Sequence, residues 1–265
     1  MSSAVLDLAA RRERQRAHEA ARADHARTRA RVLGHRLPED ELRRRAEQGA
    51  RELADADSDT ILAWVAEHFP WRVAVASSMA NTVLPHVVSR HLPWVHTLFL
   101  DTGYHFAETL GTRAAAEAAL EITVVDVTPS RDVAAQDREL GPDLFARDPE
   151  QCCRLRKVEP LHAALADYEV WITGVRRDEG PTRAATAPVL WDERNRLIKV
   201  NPLVDWTFDD VQRHALEHGL PVNPLLADGY PSIGCAPCTQ RVAPGADPRS
   251  GRWAGTDKTE CGLHA

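Results

Sequence analysis

The order of apolar and polar positions predicts alternating helices and strands from about residue 58 onward. S-D-T-I-L-A-W-V-A-E-H-F has the pattern of a capped amphipathic helix. Short β-branched runs follow at residues 73–76, 94–100, 122–127, 170–173 and 197–200. Helical stretches separate most of these runs, and Thr207 and Asp210 are spaced as the capping box of a late helix. The pattern indicates an α/β fold with a mostly parallel sheet flanked by helices.

The two ends of the chain depart from this pattern. Residues 1–57 begin with a stretch rich in Ala, Arg and Glu that is polar nearly all round, which predicts an exposed helical extension. A nucleic-acid-binding arm is the alternative, although acidic residues are interspersed throughout. Residues 229–265 are rich in Pro, Gly and Asp and have little periodicity. We therefore divide the chain into an N-terminal extension (1–57), an α/β domain (58–228) and an irregular C-terminal segment (229–265).

Composition and charge argue against several classes of protein. The 265 residues are 43% hydrophobic and 27% charged, as in an ordinary globular protein. No apolar run approaches the roughly 20 residues that a membrane span needs, and no secretory signal is recognisable, so we expect a cytoplasmic protein without membrane contact. The formal net charge of −6 argues against nucleic-acid binding, which requires a basic footprint.

Three strand exits carry residues suited to an anionic ligand, which parallel sheets bind beyond the carboxyl ends of their strands. These residues are Ser77, Ser78 and Asn81, then Asp101, Thr102 and Gly103, and finally Arg176, Arg177 and Arg183. Hydroxyls at a helix N-terminus suit phosphate or sulfate, although helix capping explains the serines about as well. Arginine suits forked recognition of the same anions, although salt bridges to Asp178 and Glu179 are an alternative explanation.

The five cysteines form two close pairs and one single residue. They are Cys152 with Cys153, Cys235 with Cys238, and Cys261. An odd count without an export signal argues against a disulfide framework. Four thiolates in two pairs suit a zinc ion or an iron–sulfur cluster, and directly adjacent cysteines fit a cluster better because its irons are separate ligation points. Buried thiols without a ligand are the remaining alternative.

The fifth cysteine lies in the tail, which we define as residues 257–265 (D-K-T-E-C-G-L-H-A). A nucleophilic thiol must be a thiolate, which nearby cations favour. His264, Arg249 and Arg252 are close to Cys261 in sequence and are candidates for this role. Lys157, beside Cys153, is suitably placed to link a cluster to an anionic substrate.

Several motifs in order resemble the assimilatory adenylyl-sulfate reductases, the iron–sulfur type of the phosphoadenylyl-sulfate reductase family. They are C-C-R-L-R-K-V-E-P-L, G-V-R-R-D-E-G-P-T-R, N-P-L-V-D-W-T, G-Y-P-S-I-G-C-A-P-C-T and E-C-G-L-H. The resemblance runs from about residue 58 to 265. It implies an adenine-nucleotide α-hydrolase-like, Rossmann-like fold, with nucleotide binding and catalysis in residues 58–228 and a homo-oligomer. It also implies a 4Fe–4S cluster on Cys152, Cys153, Cys235 and Cys238, whose role we expect to be structural and electrostatic.

The resemblance further implies a reaction and its site. The Cys261 thiolate attacks the sulfur of adenosine 5′-phosphosulfate and expels AMP, and reduced thioredoxin then releases sulfite from the Cys261 S-sulfonate. We expect a mobile tail that serves the nucleotide and thioredoxin in turn. The matching motifs nominate these substrate-binding residues: Ser77, Ser78, Asp101, Thr102, Gly103, Lys157, Arg176, Arg177, Arg183, Arg249, Arg252 and His264.

Two departures from the family pattern and two rival functions accompany this interpretation. S-S-M-A-N-T differs from the more usual S-F-G-x-E-D-like loop, and W-A-G-T-D-K-T-E is less aromatic than the stretch that often precedes the catalytic cysteine. The nearest rival function is the same chemistry on 3′-phosphoadenosine 5′-phosphosulfate. The other rival is a metal-stabilised nucleotide-binding or redox-sensing protein without turnover.

Overall fold

A six-stranded sheet forms the centre of the computed structural model, which describes residues 3–254, 258 and 260–263, with residues 3–9 described by backbone alone. The strands are β1 (Val73–Ala76), β2 (Val95–Leu100), β3 (Ile122–Val127), β4 (Val170–Ile172), β5 (Val189–Asp192) and β6 (Leu197–Val200). Their order is β3-β2-β1-β4-β6-β5, and all neighbours are parallel except β5, which runs antiparallel to β6. The predicted mostly parallel sheet is confirmed.

Helices connect β1 to β2, β2 to β3 and β3 to β4, as the alternating pattern predicts, and others precede β1 or follow β6. In the described part of the chain they are α1 (Ser3–Val32), α2 (Glu39–Glu52), α3 (Ser58–His68), α4 (Val83–Ser89), α5 (Ala107–Ala119), α6 (Val133–Leu140), α7 (Leu144–Arg147), α8 (Pro149–Cys153), α9 (Glu159–Leu165) and α10 (Phe208–Glu217). Asp57 is the N-cap of α3, and its carboxylate accepts from the Thr60 N–H at 2.8 Å. Helix α10 has the predicted capping box, in which Thr207 and Asp210 each accept from the other's N–H.

Apolar side chains cover both faces of the sheet. Along β1, Val73 and Val75 belong to one apolar cluster while Ala74 belongs to the other, as the two-residue period of a strand requires. The first cluster includes residues of α2, α3, α4 and α10, and the second includes Leu161 and Leu165 of α9. Burial on both faces is typical of parallel sheets and explains why these strands are nearly continuous apolar runs.

The N-terminal helices pack on the domain rather than standing apart from it. Side chains of α1 contact the segments that precede β1 and β2: the His18 ring lies 4.7 Å from that of Trp94, and Arg29 donates to the Trp71 carbonyl at 3.2 Å. Helix α2 buries Leu42 and Ala46 in the first apolar cluster and contacts β5 and β6. In the described residues, no helix is both long and apolar enough to cross a membrane.

The strand order defines where a ligand is expected. From β1 the sheet continues to β2 and β3 on one side and to β4, β6 and β5 on the other, so the order reverses next to β1. Loops from the carboxyl ends of strands on the two sides of such a point diverge, and the crevice between them is where open α/β sheets bind ligands.

Candidate active site

A cavity of about 290 Å³ lies at this crevice. The strand exits contribute Ser77 and Ser78 after β1, Thr102 after β2, and Gly174 after β4. The C-terminal segment supplies residues 231–235, Arg249, Arg252, Trp253, Cys261 and Leu263. The structure therefore brings the tail cysteine to the same cavity as the strand exits, although the two are far apart in sequence.

The loop after β1 has an unusual backbone. Met79 is fully buried and has a φ of 56°, in the left-handed region that favours glycine. The usual S-F-G-x-E-D form of this loop has a glycine at that position. The buried amide of Asn223 donates to the Met79 carbonyl at 3.3 Å and to Thr109 Oγ1 at 3.0 Å. These two hydrogen bonds anchor the loop to α5, which contains Thr109. Burial of Met79 and this anchor keep Ser77 and Ser78 on the cavity wall despite the altered sequence.

A π-helical turn (Arg154–Val158) between α8 and α9 positions the basic residues that follow the adjacent cysteines. Pro160 has no N–H to donate to the Arg156 carbonyl, as a regular α-helix would require, and the Glu159 N–H bonds instead to the Arg154 carbonyl. π turns of this kind often occur at functional sites. Here the turn buries both Arg156 and Lys157.

Lys157 and Arg252 are the two cavity-lining cations for which the described residues offer no carboxylate partner. Lys157 is only 8% exposed, and Arg252 contacts Ser232 Oγ and the Ile233 carbonyl, both at 3.4 Å. Burial alone would lower the pKa of Lys157, but the neighbouring cysteine thiolates, Cys235 foremost, raise it above its ordinary value. Burial lowers the pKa of Arg252, with the charge on Cys261 opposing this effect. Both cations are therefore available to an anion beside Cys261.

The other cavity arginines are paired with carboxylates. Arg176 Nε lies 3.0 Å from Asp178 Oδ1, and Glu179 accepts from Arg183 Nη1 at 2.5 Å. Arg183 and Arg249 both contact Glu260 of the tail, at 3.2 and 2.9 Å. The salt bridges considered as an alternative from sequence are thus present, and Arg176 and Arg183 also line the cavity.

Three nominated substrate residues lie off the cavity wall, and a fourth falls outside the described residues. Arg177 pairs with Asp205 and with the Thr186 carbonyl and is absent from the cavity wall. Asp101 and Gly103 also lie off the wall; the Asp101 carboxylate accepts from the Gly103 N–H at 3.0 Å, in a turn that presents Thr102. Gly103 has a φ of 74°, which explains the glycine. His264 lies outside the described residues.

The two cysteine pairs meet in space. Cys152, Cys153, Cys235 and Cys238 line one small cavity together with Tyr104 and Phe145. Burial, reinforced by the other three thiolates, raises the pKa of Cys152 to about 12, and burial followed by Cys235 raises that of Cys238 to about 11. Four cysteine sulfurs around one cavity are the donor set that an iron–sulfur cluster uses, although no preformed metal-binding group is found among the described residues. Thr102 Oγ1 lies 3.3 Å from Cys235 Sγ and connects this small cavity to the larger one, which Thr102 also lines.

Three residues not nominated from sequence also shape the site. Glu260 belongs to the E-C-G-L-H motif, which is a signal, but its partners are not readable from sequence. Arg194 Nη1 donates to the Gly262 carbonyl of the tail at 2.6 Å. Asn223 anchors the loop after β1. Neither of the last two has a sequence signal, because each acts through a contact distant along the chain.

The fold defines an adenine-nucleotide α-hydrolase-like α/β protein, and a cysteine-bearing tail reaches the cavity beyond its strand ends. The phosphoadenosine phosphosulfate reductase domain model matches residues 71–241, and the chain belongs to that family.

Curated relatives match nearly their whole length. The chain is 57% identical over 226 residues to the adenosine 5′-phosphosulfate reductase of Mycolicibacterium smegmatis, covering 85% of this chain and 96% of that protein. It is 55% identical over 225 residues to the protein of that name from Streptomyces coelicolor, covering 85% and 95%. The Mycobacterium tuberculosis protein of that name is 50% identical over 247 residues, covering 87% and 97%.

Solved structures agree with the family and the fold. The phosphoadenylyl-sulfate reductase of Candida auris, in a phosphate complex, superposes with a TM-score of 0.62 at 25% identity, covering 74% of this chain and 96% of that chain. The FMN adenylyltransferase of Candida glabrata has a TM-score of 0.51 at 12% identity, covering 78% and 68%, which shows a shared fold alone.

Proposed function

We propose that this protein reduces adenosine 5′-phosphosulfate to sulfite and AMP, with thioredoxin as reductant, in assimilatory sulfate reduction. The observation that carries the proposal is the position of Cys261 on the nucleotide cavity, beside Lys157 and Arg252. The names of the relatives at 50–57% identity support the same substrate. The family domain supports sulfur reduction as the chemistry.

In the first step the Cys261 thiolate attacks the sulfur of the phosphosulfate group. A bond forms between Cys261 Sγ and this sulfur, and the bond from sulfur to the bridging phosphate oxygen breaks, so AMP leaves with the electron pair. AMP is a stable phosphate leaving group, so no strong general acid is required. Lys157 and Arg252 stabilise the attacking thiolate and the charge that develops on the bridging oxygen. The product is a Cys261 S-sulfonate.

In the second step a thioredoxin thiolate attacks Cys261 Sγ and sulfite leaves with the electron pair of the sulfur–sulfur bond. The resulting mixed disulfide is resolved by the second thioredoxin thiol, which restores Cys261 as a thiolate. Thioredoxin is thereby oxidised to its disulfide, and its two electrons account for the reduction of the sulfate sulfur to sulfite. No other electron donor is needed.

The four cysteines Cys152, Cys153, Cys235 and Cys238 are suited to hold a 4Fe–4S cluster. When bound, the cluster would crosslink α8 to the C-terminal segment and place negative charge beside Arg156 and Lys157. Arg156 is buried and donates to the Thr102 carbonyl and to Gln136 Oε1, so it also orders the turn after β2. Every electron of the reaction remains assigned to thioredoxin.

For substrate binding we propose the residues that line the cavity. They are Ser77, Ser78, Thr102, Lys157, Arg176, Arg183, Arg249 and Arg252. Asp101 and Gly103 shape the turn that holds Thr102, and we assign them no direct contact. His264 is retained from the motif match, and Arg177 is not retained because it pairs outside the cavity.

The test is sulfite release by the anaerobically purified protein with each of the two nucleotides. We expect release from adenosine 5′-phosphosulfate that requires reduced thioredoxin and is abolished in Cys261→Ser. Thioredoxin with its second thiol changed to serine should accumulate as a disulfide with Cys261. A faster reaction with the 3′-phosphorylated nucleotide would shift the proposal to that substrate, and release from neither would favour a binding or sensing protein.

A further inference from the structure

Glu260, the residue before the proposed nucleophile, contacts two cavity arginines at once. Its Oε2 lies 2.9 Å from Arg249 Nη2 and 3.2 Å from Arg183 Nη2, and its Oε1 accepts from Arg183 Nε at 3.3 Å. The Glu260 side chain is 28% exposed and that of Arg183 is 12% exposed. Charge-assisted, forked contacts of this kind fix geometry as well as adding energy.

These contacts extend into the wall of the cavity. Glu179 accepts from Arg183 Nη1 and lies near Arg176, so acidic and basic groups alternate from the loop after β4 to the tail. Arg183 is held between two carboxylates, one from its own loop and one from the tail. A shift of Glu260 therefore moves Arg183 and Arg249 together with the backbone that carries Cys261.

The residues that follow Cys261 are held separately. The Gly262 carbonyl accepts from Arg194, and Leu263 packs against the apolar cluster that includes Leu161 and Leu165. Cys261 thus lies between the Glu260 attachment directly before it and the Arg194 contact directly after it. Lys258, further back in the tail, pairs with Glu150. Only the Glu260 attachment also involves residues that we assign to the substrate.

We propose that Glu260 is a positioning residue, which holds Cys261 in the cavity and in the same contacts aligns Arg183 and Arg249 for the phosphosulfate. The inference rests on the proposed function for its substrate, but the contacts it invokes exist without substrate. It gives the tail a defined closed position in which nucleophile and cations are set together. Glu260 touches neither substrate nor reacting atoms, so its effect is on the alignment of other groups.

An opposite role has a different signature. If Glu260 were an internal competitor that occupies the arginines in place of the substrate anion, removing its charge would strengthen nucleotide binding and accelerate the reaction. If it is a positioning residue, removing its charge slows the chemical step while the nucleotide still binds, because the cavity-lining residues of the strand exits, Ser77, Ser78 and Thr102, are unchanged. The two roles therefore predict rate changes of opposite sign.

The test compares Glu260→Gln and Glu260→Ala with the wild type and with Glu117→Gln as control. Glu117 is 29% exposed and also bridges two arginines, Arg22 and Arg113, but it lies at the end of α5 near α1. The measurements are the single-turnover rate of Cys261 S-sulfonate formation, AMP affinity by calorimetry, and amide hydrogen exchange in a peptide containing Cys261.

We expect S-sulfonate formation to slow by about 100-fold in Glu260→Ala, since misplacing a reacting group by about 1 Å costs on that order in rate. In Glu260→Gln the amide retains one acceptor oxygen for the arginines, so we expect a smaller loss of about 10-fold. AMP affinity should stay within about threefold of the wild type, which corresponds to a change of less than about 1 kcal/mol in binding free energy. The tail amides should exchange faster, and Glu117→Gln should match the wild type.

An unchanged rate, or a faster rate with tighter AMP binding, would overturn the assignment. Unchanged exchange of the tail amides would also overturn it, because the tail would then be held without Glu260. If the wild type forms no S-sulfonate, the proposed function fails, and the exchange measurement still decides whether Glu260 holds the tail.

Discussion

Gly234→Ala moves Arg252 without changing its charge. A Cβ built on Gly234 would lie 2.2 Å from Arg252 Nη2 and 2.4 Å from its Cζ. The guanidinium must therefore shift by about 1.2 Å to reach the 3.4 Å of an ordinary contact. The backbone of Gly234 is not in the left-handed region, so the methyl group adds no conformational strain. The perturbation is a displacement of one cation on the cavity wall.

The expected loss follows from this displacement. Misplacing a reacting or stabilising group by about 1 Å costs on the order of 100-fold in rate, so S-sulfonate formation should slow by about that factor. Arg252→Ala, which removes the cation, should be at least as slow. The melting temperature of Gly234→Ala should change little, because the end of a flexible side chain yields more easily than backbone does.

The assay is rapid-quench mass spectrometry of Cys261 after mixing with adenosine 5′-phosphosulfate, without thioredoxin. Gly111→Ala is the matched control, since Gly111 lies in α5 with no atom within 4 Å of the added Cβ. Iron and labile sulfide are measured for each variant, because Gly234 adjoins Cys235. A Gly234→Ala rate within threefold of the wild type, with equal iron content, would refute the role given to the Arg252 position.

Three further predictions concern the cluster, the pH dependence and the N-terminal helix. Cys152→Ser should contain little iron and labile sulfide and should melt at a clearly lower temperature than the wild type, because ligand binding at a four-cysteine site contributes directly to folding. Iron, sulfide and melting temperature all equal to those of the wild type would contradict the assignment. Burial, with Arg29 adding to it, lowers the pKa of His96 to about 4 from its ordinary 6.5. The unfolded chain therefore binds this proton first as the pH falls, so the free energy of unfolding should be highest well above pH 6.5 and lower by about 3 kcal/mol at pH 4. His96→Gln should flatten the urea midpoint against pH over that range, and an identical slope would exclude His96 as its source. Deletion of residues 1–32 should lower the melting temperature but leave S-sulfonate formation within twofold, because α1 contacts the segments before β1 and β2; a large loss of rate would contradict this.

Much of the fold was predictable because apolar periodicity follows directly from burial. The bounds of β1, β3 and β6 match the β-branched runs, and β2 and β4 differ by one residue. Strand β5 was not identified, because an edge strand pairs on one side only and V-L-W-D is too short to show alternation. The π turn was not predictable either, since a proline in a helical run indicates a break rather than a wider turn.

The sequence nominates most residues of the candidate site but not the contacts between them. Cysteine spacing and the motif resemblance nominate residues that the structure gathers around two adjoining cavities. Which arginines are paired with carboxylates depends on contacts between distant segments, such as that of Arg183 with Glu260. Arg177 shows the limit of motif transfer, because it is adjacent to Arg176 but bonds to Asp205 outside the cavity.

The central claim is that Cys261 attacks the sulfur of adenosine 5′-phosphosulfate. Its most direct test is the intact and peptide mass of the reduced, anaerobically purified protein after incubation with each nucleotide in the absence of thioredoxin. We predict a single added SO₃ group on Cys261, formed with adenosine 5′-phosphosulfate and removed by reduced thioredoxin. No adduct from either nucleotide, in protein that contains iron and labile sulfide, would contradict the claim.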